Sequence, residues 1–164
     1  MTKIVCISNM EGHIPKELPC GDVLVIAGAS FPFSRLYDSE EQILSQVIYW
    51  DTILRPWLVL QCNVFDKILI THGYTDWLPY QAYILKLPEY LGSIANRLRY
   101  PDSVVDITNK LYTYIGKETH SKTINFFGSP WSYESSQGNY AFIKSEEALK
   151  PLWDRIPNET QVLV

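Results

Sequence analysis

Three short apolar segments, each followed by a glycine, place the tightest limit on how this chain can fold. The segments are KIVCIS (3–8), DVLVIA (22–27) and DKILITH (66–72), and the glycines are Gly12, Gly28 and Gly73. Nearly continuous runs of branched apolar residues are typical of strands buried on both faces, as in parallel sheets. Ligands bind outside the carboxyl ends of such strands. We therefore expect a mostly parallel inner sheet with its three glycine turns close together.

A helix is predicted between the second and third strands. The sequence SEEQ (39–42) has the form of a capping box with acidic residues in the first turn. Apolar side chains then follow at helical spacing, at Ile43, Val47, Trp50 and Leu54. This pattern predicts a helix that covers the sheet and ends near Pro56.

The second half of the chain predicts another sheet. LYTYIG (111–116), TINFFGSPW (123–131) and the final QVLV have the composition of strands, and Ser145-Glu146-Glu147 predicts a short helix that Pro151 disturbs. Residues 77–106 have no clean period and predict a loop with an irregular helix. No repeat or linker divides the chain, so we expect one α/β domain spanning residues 1–164.

Composition limits the classes of function. With 164 residues, of which 46% are hydrophobic, the chain can fill a substantial core. The net charge is −4 without a stripe of Lys and Arg, which argues against nucleic acid as a partner. The start of the chain resembles no signal peptide, and no run of eighteen apolar residues occurs. We expect a cytoplasmic protein that does not bind membranes, with Cys6, Cys20 and Cys62 as ordinary thiols.

Several fragments together resemble one enzyme family. In order they are KIVCISNMEG, GDVLVIAGAS, FDKILITHGYTD, TINFFGSPW and IPNETQVLV. They are similar to ISDTHG, GDVLIHAGD, KIVIAGNHD, GSPW and a later IPxDTDILITHG segment of the calcineurin-like metallophosphoesterases, in particular the small branch related to the fetal-brain metallophosphoesterase-domain proteins. The resemblance implies an αββα sandwich with mixed sheets, truncated at its C-terminal side because the family's last histidine motifs would fall beyond Val164.

The resemblance also implies where metal ligands would stand. The family's first motif supplies an aspartate and a histidine, and the matching residues are Asn9 and Glu11. Its bridging aspartate corresponds to Ala29, its metal-binding asparagine to Tyr74 and its catalytic histidine to Thr75. An amide oxygen is a weaker ligand than a carboxylate, and alanine offers none. We therefore expect no catalytic residues, no bound metal and no other cofactor.

Two functions remain open at this point. The first is a catalytically inactive metallophosphoesterase-like protein, a pseudoenzyme, that acts as a binding or assembly module. The second is a metal-dependent phosphodiesterase or phosphatase that uses a rearranged or single-metal site. Glu11, His13, His72 and Asp76 could form such a residual site for a divalent ion such as manganese or zinc.

The resemblance carries an expectation about partners as well. In the family further strands follow the one that matches QVLV, so a sheet position would be unfilled. Open sheet edges tend to pair with other strands. We expect a protein partner or self-association through the edge of the second sheet, near TINFF and QVLV.

Overall fold

A parallel sheet forms the centre of the molecule. The computed structural model describes residues 1–84, 98–117, 123–133 and 140–164. Within these residues the inner sheet consists of strands β1 (Ile4–Ser8), β2 (Val23–Ala27), β3 (Lys67–Thr71) and β4 (Val104–Asp106). They lie in the order β1-β2-β3-β4, and each adjacent pair is parallel. The three predicted strands are confirmed, whereas β4 falls in the segment for which only a loop and a helix were predicted.

Burial in the inner sheet follows strand position. The side chains of β2 from Val23 to Ile26 are fully buried, as expected for a central strand. Strand β1 is only partly buried, so the expectation of burial on both faces is wrong for it. The physical reason is its place at the sheet edge, where it has one neighbouring strand instead of two.

The predicted helix is longer than its sequence pattern indicated. Helix α1 (Ser39–Tyr49) continues through a π-helical segment (Trp50–Leu54) into helix α2 (Arg55–Gln61). Pro56 therefore lies in the first turn of α2 and does not end the helix. The amide of Arg55 bonds to the carbonyl of Trp50, five residues back. This wider turn gives the proline ring room that an unbroken α-helix would deny it.

The cap of α1 lies one residue earlier than predicted. Asp38 is the N-cap, and its carboxylate accepts hydrogen bonds from the amides of Glu40 and Glu41, both at 2.9 Å. The Glu41 carboxylate accepts in return from the amide of Asp38 at 3.0 Å. The capping box is thus Asp38 with Glu41, and Ser39 is the first helical residue.

A second sheet packs against the first. Strands β5 (Leu111–Ile115) and β6 (Thr123–Phe127) are antiparallel, and the final strand β9 (Val162–Leu163) pairs with β6 in parallel. The predicted strands are confirmed, although β6 ends before the GSPW sequence. Because the order is β5-β6-β9, TINFF is an interior strand, and the described edges of this sheet are β5 and β9.

The remaining elements are short. Helix α3 (Trp77–Ile84) confirms a helix in the segment 77–106, for which a loop with an irregular helix was predicted, and residues 85–97 lie outside the described part. Strands β7 (Ser132–Tyr133) and β8 (Ile143–Lys144) pair with each other, and helix α4 (Glu146–Trp153) contains Pro151 within it. In the described residues no helix is long and apolar enough to cross a membrane. The three cysteines are free thiols.

Two hydrophobic clusters give the molecule its layers. On one face of the inner sheet, Leu24 and Ile26 pack with Trp50 and Leu58 of the long helix. On the other face, alternate strand residues pack with the second sheet, and this cluster comprises Val23, Val25, Leu69, Ile107, Tyr114 and Phe126. The described chain is therefore a mixed α/β structure in which a helical layer, a parallel sheet and a mixed sheet follow one another.

The position of the cap can be tested by two neighbouring substitutions. We predict that Asp38→Ala lowers the free energy of unfolding by about 0.5–2 kcal/mol, because two amides lose their acceptor. The control, Ser39→Ala, should change it by less than about 0.5 kcal/mol, because Ser39 does not cap the helix. Urea denaturation of both variants measures the difference. A larger loss in Ser39→Ala than in Asp38→Ala would contradict the assignment.

Candidate functional site

The turns after β1, β2 and β3 meet at the carboxyl edge of the inner sheet, as the sequence predicted. The amide of Glu11 donates to the carbonyl of Ala29 at 2.7 Å, and the amide of Gly28 donates to the carbonyl of Thr71 at 2.9 Å. The approach is closest at Gly73, where an added Cβ would lie 2.6 Å from the nitrogen of Ala29. Only glycine fits at that position.

Several residues in these turns have left-handed backbone conformations. Asn9, Glu11 and Ala29 have φ values of 53°, 45° and 49°, and the neighbouring Gly12 and Gly28 have 85° and 63°. For a residue with a Cβ this conformation costs roughly 1–2 kcal/mol. Such strain persists only where surrounding structure imposes it, and it is concentrated at functional sites. Three of the four positions that the resemblance matches to metal ligands therefore share an unusual backbone geometry.

A buried carboxylate holds two of the turns together. Asp76 is completely buried, and its Oδ1 accepts from the amide of Phe31 at 3.0 Å. Its Oδ2 accepts from the amide of Gly73 at 2.8 Å. Both oxygens are thus bonded to backbone groups of the turns that follow β2 and β3. Asp76, a member of the predicted residual site, has a structural task in this arrangement.

Gln46 supports the same turns from helix α1, and sequence reasoning missed it. Its amide nitrogen donates to the carbonyls of Pro32 at 3.0 Å and Thr75 at 2.7 Å. Its amide oxygen accepts from the backbone nitrogen of Leu78 at 2.9 Å. The sequence did offer one indication of this role, since Gln46 is a polar residue on the apolar face of the predicted helix. A polar side chain buried on such a face needs hydrogen-bond partners there.

His72 lies beneath the turns and is almost entirely buried. Its Nε2 is 3.2 Å from the hydroxyl of Tyr100 and 3.8 Å from Asp106 Oδ2, while its Nδ1 is 3.7 Å from Asp76 Oδ2. The imidazole stacks on Phe142 with an interplanar angle of 13°. Asp76 lies near Nδ1 of the imidazole and Asp106 lies near Nε2. An ion bound to either ring nitrogen would therefore have only one of the two carboxylates beside it.

A cleft of about 240 Å³ opens above these residues. Asn9, Ala29, His72 and Tyr74 contribute to its lining together with residues of the GSPW region. The hydroxyl of Tyr74 donates to Glu11 Oε1 at 2.9 Å. Burial, followed by the hydrogen bond and the charge of Glu11, raises the pKa of Tyr74, so the phenol remains a donor at neutral pH. The Tyr74–Glu11 bond joins the first and third turns.

The other predicted site residues lie away from the cleft lining. Thr75 is buried, its hydroxyl is 3.4 Å from Asp76 Oδ1, and its carbonyl accepts from Gln46. His13 is exposed on the turn after β1, with its amide bonded to the carbonyl of Met10. Glu11 is exposed and bonded to Tyr74. The predicted residual set of Glu11, His13, His72 and Asp76 is thus divided between exposed turn residues and buried ones.

The donors present do not fit a two-metal centre. The position that the resemblance matches to the bridging aspartate holds Ala29, which is 1% exposed and offers only a methyl group. The Tyr74 phenol is bonded to Glu11, and Asn9 offers only an amide. In the described ranges no group of three or more His, Cys, Asp or Glu side chains is arranged to hold a metal ion. A bridging carboxylate sets the separation of roughly 3.5–4 Å between paired catalytic ions, and Ala29 cannot replace it.

Comparison with known proteins adds no family assignment. A scan against protein-family models gives no match. A search of curated protein sequences finds no significant relative.

The role of Asp76 can be tested by substitution. We predict that Asp76→Ala lowers the free energy of unfolding by about 2–5 kcal/mol, because two backbone amides lose their acceptor in a buried position. The control is Asp154→Ala, which removes an exposed carboxylate paired with Lys150 and should cost less than about 1 kcal/mol. Chemical denaturation compares the two. Equal effects would contradict the structural role of Asp76.

Tyr49 makes stability sensitive to alkaline pH. Its buried hydroxyl has no hydrogen-bond partner among the described residues. Burial, and secondarily the charge of Asp76, raises the pKa of Tyr49 from 10.0 to about 12. The folded state therefore holds this proton more tightly than the unfolded chain, and the associated stability is complete below pH 10 and is lost between pH 10 and about 12.

We predict that Tyr49→Phe makes stability fall less steeply with pH in that window. At pH 7 the variant should be as stable as the unchanged chain or more so, since it loses a hydroxyl that has no partner. Thermal unfolding at a series of alkaline pH values measures both effects. An unchanged slope in Tyr49→Phe would show that Tyr49 does not contribute to the alkaline loss.

Proposed function

We propose that this chain is a metallophosphoesterase-like protein that has lost two-metal catalysis and acts as a non-catalytic binding or assembly module. The observation that carries the proposal is the methyl group of Ala29 at the bridging position, buried where the turns converge. Hydrolysis of a phosphoester by two cations needs anionic ligands that hold both ions and activate a water. The chain retains the turn geometry and lacks those ligands.

The contacts around Ala29 support the same proposal. Glu11 accepts a hydrogen bond from Tyr74, so its carboxylate takes part in joining two turns. Asp76 and Gln46 form hydrogen bonds with backbone groups of the turns that follow β2 and β3. Ala29 has a left-handed backbone conformation, and its carbonyl accepts a hydrogen bond from the amide of Glu11. A fold of this kind keeps the shape of a site while its side chains no longer supply the chemistry.

The alternative, a phosphodiesterase with a rearranged single-metal site, has less support. It would draw on Glu11, His13, His72 and Asp76. Both carboxylate oxygens of Asp76 accept from backbone amides, and recruiting them for a metal would leave buried amides unpaired. His13 is exposed, whereas His72 is buried beneath the turns.

We also propose that the protein is located in the cytoplasm. Its three free thiols accord with that reducing compartment.

An assay of hydrolysis tests the proposal. We predict that the purified chain hydrolyses bis-p-nitrophenyl phosphate or 2′,3′-cyclic nucleotides no faster than background with manganese or zinc added, because Ala29 supplies no bridging ligand. Elemental analysis of protein prepared without chelator measures bound metal in parallel, and we expect less than one ion per chain. Manganese-dependent turnover that Glu11→Ala abolishes would refute the proposal and favour the single-metal alternative.

A further inference from the structure

A second pocket adjoins the cleft and is lined mainly by tyrosines. It has a volume of about 310 Å³, and it shares Tyr74 and Ser132 with the lining of the cleft. Its other lining residues in the described part of the chain are Tyr133, Tyr140 and Ile143. We call these five residues the tyrosine pocket. Sites for small molecules begin at about 300 Å³, so the pocket has room for a small ligand.

Contacts within the protein hold two walls of the tyrosine pocket in place. The rings of Tyr74 and Tyr140 are nearly perpendicular, with an interplanar angle of 80° and centroids 5.3 Å apart. The amide of Ala141 donates to the carbonyl of Tyr74 at 2.8 Å, and Phe33 packs on Tyr140 with ring centroids 5.1 Å apart. The hydroxyl of Tyr74 is bonded to Glu11. The two rings are therefore adjoining walls that need little ordering when a ligand binds.

The charges around the tyrosine pocket favour a cationic ligand. The Glu11 carboxylate accepts from the hydroxyl of Tyr74 at 2.9 Å, which places a negative charge beside the pocket. The described lining includes no Lys or Arg. The six residues between Tyr133 and Tyr140 lie outside the described part, and their sequence contains no basic residue either. An acid without a base in the lining gives the pocket a negative potential.

Lys144 is the basic residue that follows the pocket residue Ile143, and its charge is directed elsewhere. In the β7–β8 pair Lys144 is in register with Tyr133. Its Nζ lies 5.5 Å from the centre of the Trp131 ring, which is an attractive contact between a cation and an aromatic face. Neither Lys144 nor Trp131 belongs to the described lining of the tyrosine pocket. The rings of the pocket are therefore left for a cation from outside.

We propose that the tyrosine pocket binds a quaternary ammonium group. Aromatic rings attract cations to their faces, and several such rings around one pocket recognise choline and methylated lysine in this way. A quaternary ammonium has no N–H group, so it needs no hydrogen-bond acceptor inside the pocket. Its methyl groups can be buried against the tyrosine rings and Ile143, while Glu11 supplies the opposite charge.

This inference goes beyond the proposed function, because it concerns the charge and shape of a ligand and not the loss of catalysis. It uses Tyr133, Tyr140 and Ile143, which do not belong to the cleft lining. Binding of an ammonium ion can be measured whether or not the cleft hydrolyses phosphoesters. The failure of either proposal would therefore leave the other intact.

Titrations followed by NMR amide chemical shifts test the ligand class. The probes are choline, an end-blocked glycyl-trimethyllysyl-glycine peptide, and dimethylbutanol, the neutral isostere of choline in which carbon replaces nitrogen. Sodium chloride keeps the ionic strength constant. We expect choline or the peptide to bind saturably with a Kd of about 1 mM or below, and at least about fivefold more tightly than dimethylbutanol.

The comparison of the two cationic probes identifies the source of the ammonium group. Tighter binding of the peptide would indicate a methylated lysine of a partner protein, and tighter binding of choline would indicate a small molecule. Both results support the proposal. No saturable binding of either cation, or binding of dimethylbutanol as tight as that of choline, would overturn it.

Substitutions locate the binding site. Tyr133→Leu keeps an apolar side chain but removes an aromatic wall, and it should weaken binding of the cationic probe by about threefold or more. The matched control is Tyr37→Leu: Tyr37 is 48% exposed and lies outside the pocket lining, and Tyr133 is 62% exposed. The control should leave binding unchanged. Both tyrosines are exposed, so the dispersion of the amide shifts should confirm that each variant folds.

Glu11→Gln separates the contribution of charge from that of the rings. The amide oxygen of glutamine can still accept the hydrogen bond from Tyr74, so the wall stays in place. The variant should bind the cationic probe several-fold more weakly and dimethylbutanol as before. Unchanged binding of the cation in both Tyr133→Leu and Glu11→Gln would place the ammonium elsewhere and overturn the assignment.

Discussion

The arrangement of the cleft depends on the carboxylate of Asp76. It accepts hydrogen bonds from the amide of Phe31 after β2 and from the amide of Gly73 after β3. A buried carboxylate is costly unless its oxygens are bonded, and two backbone amides meet that need here. The same two turns lie so close that an added Cβ at Gly73 would be 2.6 Å from the nitrogen of Ala29. Ala29 and Tyr74 lie in the two turns that this contact joins, and Glu11 is linked to them through its hydrogen bond with Tyr74.

Hydrogen bonds between protein groups link the three turns. In a two-metal site, charged ligands around the cations hold the turns together as they bind. In this chain the corresponding links are the Tyr74–Glu11 hydrogen bond and the contacts of Gln46 with Pro32 and Thr75. The first bond joins the turns after β1 and β3. The contacts of Gln46 join helix α1 to the turns after β2 and β3. Hydrogen bonds between protein groups thus link the first turn to the third and the second turn to the third.

Strands and their shared edge were predictable from the sequence because they depend on local patterns. The apolar runs of β2 and β3 and the glycines after them indicated a parallel sheet with converging turns. The continuation of the helix past Pro56 was not predictable, since it depends on a π-helical turn that no short motif specifies. Strand β4 was missed because three residues are too few to show a period.

The site was predictable only in part, for a similar reason. Asn9, Ala29 and Tyr74 lie in the cleft lining as their positions after the strands indicated. The task of Asp76 could not be inferred, because its partner Phe31 is forty-five residues away in the chain. Gln46 and Tyr100 contribute to the site from distant segments as well. Contacts of this range depend on tertiary packing, which local sequence patterns do not contain.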